Sequence, residues 1–142
     1  MSLKSTGRTH WDGDLFTGSG ETSLDSGATP PMRVTWKARA EDHGGLTSPE
    51  ELIAAAHASC YSMALSNTLA KAGTPPTSID TQATATFVPG TGITAMELEV
   101  TAAVAGISED DFLSAAQDAE ENCPVSQALK GNVPISLVAN LS

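Results

Sequence analysis

The sequence predicts an α+β fold, and three observations carry the prediction. Two segments, one opening at Ser48 and one at Ser108, bear clear helix-start signals. Stretches with period-two alternation lie before the first helix, between the two, and at the C-terminal end. Strands and helices therefore come in blocks rather than in strict alternation, which is the α+β pattern. At 142 residues the chain has the size of one domain, so residues 1–142 are expected to form a single domain.

Taken in order, the first forty residues read as β structure. Thr9 to Phe16 holds apolar Trp11, Leu15 and Phe16 among polar residues, and Gly18, Gly20 and Gly27 mark turns. Arg33 to Ala40 alternates Val34, Trp36, Ala38 and Ala40 with Arg33, Thr35, Lys37 and Arg39, which predicts a strand with one basic face. Ser48 then caps a helix, Pro49 suits its first position, and Glu51 completes a capping box. Gly73 is placed as the C-terminal stop. Such a helix has about 24 residues and spans roughly 36 Å. From Leu52 to Ala64 nearly every side chain is apolar or small, which predicts burial on all sides. A domain of this size has little to surround so long a helix with, so burial against a second copy in a dimer is expected.

Beyond Pro75 and Pro76, Ile79 to Val88 pairs with Ile93 to Val104 across the turn Pro89-Gly90-Thr91-Gly92. Met96, Leu98, Val100, Ala102 and Val104 share one face of the second strand, and Glu97, Glu99 and Thr101 the other. Ser108 caps the second helix, Glu109 to about Glu121, whose first-turn acids suit the helix dipole. Cys123-Pro124 opens a short helical turn to about Lys130, and Val133 to Leu141 is the final strand. The expected order is β-β-β-α-β-β-α-α-β.

Composition removes several classes of function. The formal charge is -10 and Lys plus Arg number only 7, so phosphate binding to nucleic acid lacks its cations. The same acidity opposes anionic membrane surfaces. Met1 to Gly20 lacks the apolar stretch of a signal peptide, and Leu52 to Ala72 is broken by His57 and Lys71. A cytoplasmic protein with reduced thiols is expected. Two cysteines are too few for a disulfide scaffold; lying 63 residues apart, with three scattered histidines, they match no metal-ligand spacing. No metal and no cofactor are expected.

The two thiols need an account. Cys60 sits mid-way along the apolar helix, where it reads on its own as a small core residue. Burial there raises a thiol pKa, so a reactive thiolate needs an external cation. His57 lies three residues earlier on the same face. A Cys/His hydrolase pair is conceivable, but no oxyanion-hole feature accompanies it, and a structural, hydrogen-bonded His57 is expected. Cys123 precedes Pro124 at a helix start, among polar neighbours that make it less of a core residue than Cys60.

The stretch Thr47-Ser48-Pro49-Glu50-Glu51-Leu52-Ile53-Ala54-Ala55-Ala56-His57-Ala58-Ser59-Cys60-Tyr61-Ser62-Met63-Ala64-Leu65-Ser66 resembles the first-cysteine helix of the OsmC/Ohr family of thiol peroxidases. Cys123-Pro124-Val125-Ser126-Gln127-Ala128-Leu129-Lys130 is similar to that family's second-cysteine motif. His10-Trp11-Asp12-Gly13-Asp14 and Ser78-Ile79-Asp80-Thr81 look like its osmotically inducible branch. The resemblance runs over essentially the whole chain and implies an OsmC-like fold, to which the burial and length of the long helix add an intertwined homodimer. It makes Cys60 the peroxidatic cysteine, Cys123 the resolving one, and Glu50, ten residues before Cys60, the active-site glutamate. The family's arginine falls about ten residues before that glutamate. Arg39, eleven residues away, is the best match, with Arg33 as the alternative.

The implied chemistry suits these residue types. Arg39 is a permanent cation able to lower the Cys60 pKa, and Glu50 can hold it by a charge-assisted pair. The thiolate attacks the O–O bond of an organic hydroperoxide, releases an alcohol and becomes a sulfenic acid. Cys123 then closes a disulfide that an external dithiol, of lipoyl type or smaller, reduces. Ten residues of straight helix span roughly 15 Å, so Glu50 and Cys60 of one chain are far apart for one compact site. Two antiparallel copies of the helix would bring Glu50 of one protomer nearer Cys60 of the other. The rival reading is a non-enzymatic module on the same fold that sequesters a hydrophobic ligand or senses redox state. It would need neither both cysteines nor Glu50 with an upstream arginine.

Overall fold

A single hydroxyl turns part of an expected strand into a helix. In the computed structural model, which describes residues 1–142, only Met32–Val34 of the segment 33–40 is extended. Thr35 then accepts a hydrogen bond from the Ala38 N–H at 3.1 Å and caps a short helix, Trp36–Ala40. Alternation over Arg33 to Ala40 predicts a continuous strand; the N-cap wins because it satisfies a backbone donor that the strand would leave to solvent. The order is therefore β-β-β-α-α-β-β-α-α-β, one short helix more than expected. The α+β class holds.

The chain divides into two compact units, residues 1–52 and 53–142. The first contains β1 (Gly7–Asp12), β2 (Ser19–Leu24) and β3 (Met32–Val34), an antiparallel sheet in the order β1-β2-β3, followed by α1 (Trp36–Ala40). Trp11 lies opposite Gly20 across the β1–β2 pair. A Cβ on Gly20 would sit 2.8 Å from the Trp11 ring, so the indole packs there only because that position is glycine.

Helix α2 (Pro49–Lys71) begins in the first unit and runs on into the second. Ser48 Oγ accepts the Glu51 N–H at 3.1 Å. The return half of the capping box is replaced, since the Glu51 carboxylate accepts from Thr47 Oγ1 at 2.7 Å instead. At the other end Gly73, at φ 87°, ends the helix. Its N–H donates to the Ala70 carbonyl and the Thr74 N–H to the Leu69 carbonyl, a Schellman closure. The helix is not buried on all sides within the chain. Glu50, Ala54, His57, Tyr61, Leu65 and Leu69 form a buried stripe at helical spacing. On the opposite face Ala55, Ala56, Ser59 and Asn67 are exposed, and Met63 is 71% exposed.

The second unit carries the main core. Here β4 (Ser78–Val88) and β5 (Gly92–Ala103) form the expected antiparallel hairpin, and β6 (Ile135–Leu141) lies parallel to β5 on its other side. The parallel return is made by α3 (Glu109–Asn122) and α4 (Pro124–Leu129). Met96, Leu98, Val100 and Ala102 on β5 are buried while Glu97 and Glu99 face out, as the alternation predicts. Leu98, Val100 and Ala102 pack with Phe112, Ala115 and Ala119 of α3 and with Tyr61, Leu65 and Leu69 of α2. Ser108 caps α3 by accepting the Asp111 N–H. No helix is long and apolar enough to cross a membrane.

Candidate functional site

In the first unit, α1 puts Arg39 in its last turn and the Ser48-Pro49 start of α2 puts Glu50 in its first. The two meet. Arg39 Nη2 donates to Glu50 Oε1 at 2.8 Å, and Nε donates to Oε1 at 3.0 Å and to Oε2 at 3.2 Å. Glu50 is only 5% exposed, so its charge is compensated by a fork-shaped, charge-assisted pair. Arg33, the alternative arginine, is exposed on β3. Beside the pair is a cavity of about 380 Å³ lined by Trp11, Leu15, Val34, Trp36, Arg39 and Leu52. The Trp36 ring meets Phe16 edge-on at 5.7 Å.

In the second unit lie the two thiols, both free cysteines. Cys60 is half-buried on α2, and Cys123 is fully buried at the junction of α3 and α4. The polar neighbours of Cys123 in the sequence predict the reverse order of burial. The reason for Cys123 is periodic: Phe112, Ala115, Ala119 and Cys123 continue one buried face at helical spacing, whatever lies between them. The Cys123 N–H donates to the Ala119 carbonyl, closing α3, while its own carbonyl accepts from Gln127 and opens α4. The two thiols interact. Burial pushes the Cys60 thiol up, the Val125 N–H that donates to it pulls the other way, and the Cys123 side chain pushes it further up. Together these effects favour the protonated Cys60 thiol.

His57 does not pair with Cys60. Its Nε2 is 2.7 Å from Ser126 Oγ, both residues are buried, and Nδ1 has no hydrogen-bond partner. The interior, hydrogen-bonded histidine expected from the sequence is present, and the Cys/His hydrolase reading loses its base. Ser126 itself was not singled out from the sequence, because its partner lies 69 residues away. Burial lowers the His57 pKa below 6.5. The unfolded chain thus takes up a proton at a pH where the folded chain still refuses it. Stability from this group is complete above pH 6.5 and is lost as pH falls below it, with a slope of up to about 1.4 kcal/mol per pH unit. Urea denaturation at pH 7.5 and 5.5 checks this: wild type should lose more stability on acidification than His57→Gln, and equal losses would refute the assignment.

The first unit thus carries a guanidinium clamped by a carboxylate, and the second carries two free thiols that interact. Comparison with known proteins identifies the family. Residues 42–138 match the OsmC-like protein family. The peroxiredoxin OsmC of Escherichia coli is 42% identical over 138 residues, spanning 95% of this chain and 96% of the relative. An organic hydroperoxide resistance protein from Elizabethkingia anophelis shares the fold at TM-score 0.72 and 21% identity, with full coverage of both chains. A second such protein, from Legionella pneumophila, superposes at TM-score 0.71 with 21% identity over 97% of each chain. The chain belongs to the OsmC-like family.

Proposed function

We propose that the protein reduces organic hydroperoxides, and hydrogen peroxide more weakly, by a dithiol–disulfide cycle, as part of defence against oxidative or osmotic stress. Its family and its 42%-identical peroxiredoxin relative make it an oxidoreductase of the peroxidase class. The observation that supports the finer reading is the interaction of Cys60 with Cys123, two free thiols brought together from positions 63 residues apart.

In this reading the Cys60 thiolate attacks the distal peroxide oxygen, an alcohol leaves, and Cys60 becomes a sulfenic acid. The Cys123 sulfur bonds to the Cys60 sulfur, the S–O bond breaks, and hydroxyl departs with the thiol proton as water. An external dithiol, lipoyl-type or smaller, restores both thiols by exchange. Arg39, held by Glu50, supplies the cation that offsets the burial cost of the thiolate. The protein acts as one domain, in the cytoplasm, and as a homodimer. The open face of α2, with Ala55, Ala56, Ser59 and Met63, supports the dimer, since small residues let a second helix approach closely.

The Arg39 role has a direct test. With Arg39→Ala, the half-rise of Cys60 alkylation by iodoacetamide should move up by at least about one pH unit, and the rate at pH 7 should fall about ten-fold. An unchanged profile would remove Arg39 from the mechanism. Substrate preference is read from steady-state reduction of cumene hydroperoxide and hydrogen peroxide with a dithiol donor. The aromatic hydroperoxide should show the higher kcat/KM by about ten-fold or more, since burying its ring adds apolar binding. Equal values would refute the organic preference.

A further inference from the structure

The two segments that bring the thiols together are tied by one hydrogen bond, placed one turn from each sulfur. His57 precedes Cys60 by three residues on α2, and Ser126 follows Cys123 by three residues on α4. His57 Nε2 and Ser126 Oγ meet at 2.7 Å, with exposures of 0% and 2%. Helix α4 has six residues, and Cys123, its N-cap, makes no side-chain capping bond. So short a helix does not hold its own geometry and takes its pose from tertiary contacts.

The bond is expensive as mere packing. In either tautomer of His57 one ring nitrogen is satisfied and Nδ1 is not. An orphaned buried polar atom carries a desolvation cost that nothing repays, whereas two apolar side chains of similar shape would fill the space without it. What an apolar pair would not supply is direction. A hydrogen bond fixes a heavy-atom distance to within tenths of an ångström, and a disulfide forms only within a narrow range of Cα separations and torsions. Val125, next to Ser126 on α4, packs against the same buried cluster as Cys60. The same turn of α4 reaches His57 through the Ser126 side chain.

We propose that His57 and Ser126 are positioning residues for the second chemical step, holding Cys123 in line with the Cys60 sulfenic acid. The inference rests on the peroxidase reading above. In that step the Cys123 sulfur is oxidised as it bonds to the Cys60 sulfur, which is reduced, and the S–O bond breaks with loss of water. The peroxide-consuming first step does not involve Cys123 and needs no help from the tie. Loss of the tie should leave the first step intact and slow only the second.

The test is a single-turnover experiment on the full-length, reduced protein with one equivalent of cumene hydroperoxide. Peroxide loss reports the first step, and mass spectrometry of quenched samples reports sulfenic acid, disulfide and sulfinic acid. Ser126→Ala should consume peroxide at the wild-type rate but form the disulfide about ten-fold more slowly or worse, with Cys60 sulfinic acid accumulating under excess peroxide. His57→Leu should match it, and the double variant should be no slower, as expected when both remove one interaction. His57→Gln, whose amide nitrogen reaches the Nε2 position, should recover most of the rate. The proposal is overturned if Ser126→Ala closes the disulfide at the wild-type rate, or if both steps slow together in Ser126→Ala and His57→Gln alike. Wild-type protein that forms neither sulfenic acid nor disulfide would overturn the peroxidase reading, and this inference with it.

Discussion

Cys60→Ser should abolish peroxide turnover while leaving the fold in place. Serine differs from cysteine by one atom, and Cys60 is only half-buried on a helix whose core stripe runs through His57, Tyr61 and Leu65 instead. The chemistry does not survive the exchange. A hydroxyl ionises far above neutral pH, and its oxygen cannot accept the peroxide oxygen to give a sulfenic acid. Activity in a dithiol-coupled assay should fall to the uncatalysed rate, with the thermal transition shifted little. Retained turnover in this variant would dispose of the assignment outright.

Cys123→Ser should fail differently, and the difference is diagnostic. Its first equivalent of hydroperoxide is consumed, because the Cys60 thiolate is intact. The sulfenic acid then has no partner thiol, and it persists until dimedone traps it or a second peroxide carries it to the irreversible sulfinic acid. Turnover should therefore stall after about one equivalent unless excess small thiol stands in for Cys123. Since Cys123 is fully buried within the face shared with Phe112, Ala115 and Ala119, the serine hydroxyl also costs stability. The burst stoichiometry should be read below the variant's lowered unfolding temperature. Continued multiple turnover with a dithiol alone would rule Cys123 out as the resolving residue.

Most of the fold is legible in the sequence because its signals are local. Ser48, Gly73 and Ser108 announce helix ends by hydrogen bonds made within a few residues, and all three bonds or turns are present. The β4–β5 hairpin follows from alternation and a Pro-Gly-Thr-Gly turn. Segment 33–40 misleads because two local signals compete there. Its alternation is genuine, but Thr35 at the cap position decides the matter. The exposed second face of α2 shows the limit of composition. A run of alanines looks the same whether it faces a core or open space, and the split between Tyr61 at 0% and Met63 at 71% is set by what packs on the helix.

The candidate site divides in the same way. The Arg39–Glu50 pair is implied by the family resemblance, although its eleven-residue spacing departs by one from the family's, and it appears as a bidentate ion pair. Cys60 and Cys123 stand out because only two thiols exist. The His57–Ser126 bond was out of reach. His57 could be given an interior role, but nothing near either residue names the other, and the pairing exists only once α4 is folded back over α2.

The two thiols are proposed to form one redox couple driven by an organic hydroperoxide. The most direct measurement is peptide mapping by mass spectrometry after reduced protein meets one equivalent of cumene hydroperoxide. A Cys60–Cys123 disulfide should appear within a single chain, together with one equivalent of the corresponding alcohol. Both cysteines recovered as free thiols, or Cys60 oxidised with Cys123 untouched, would contradict it.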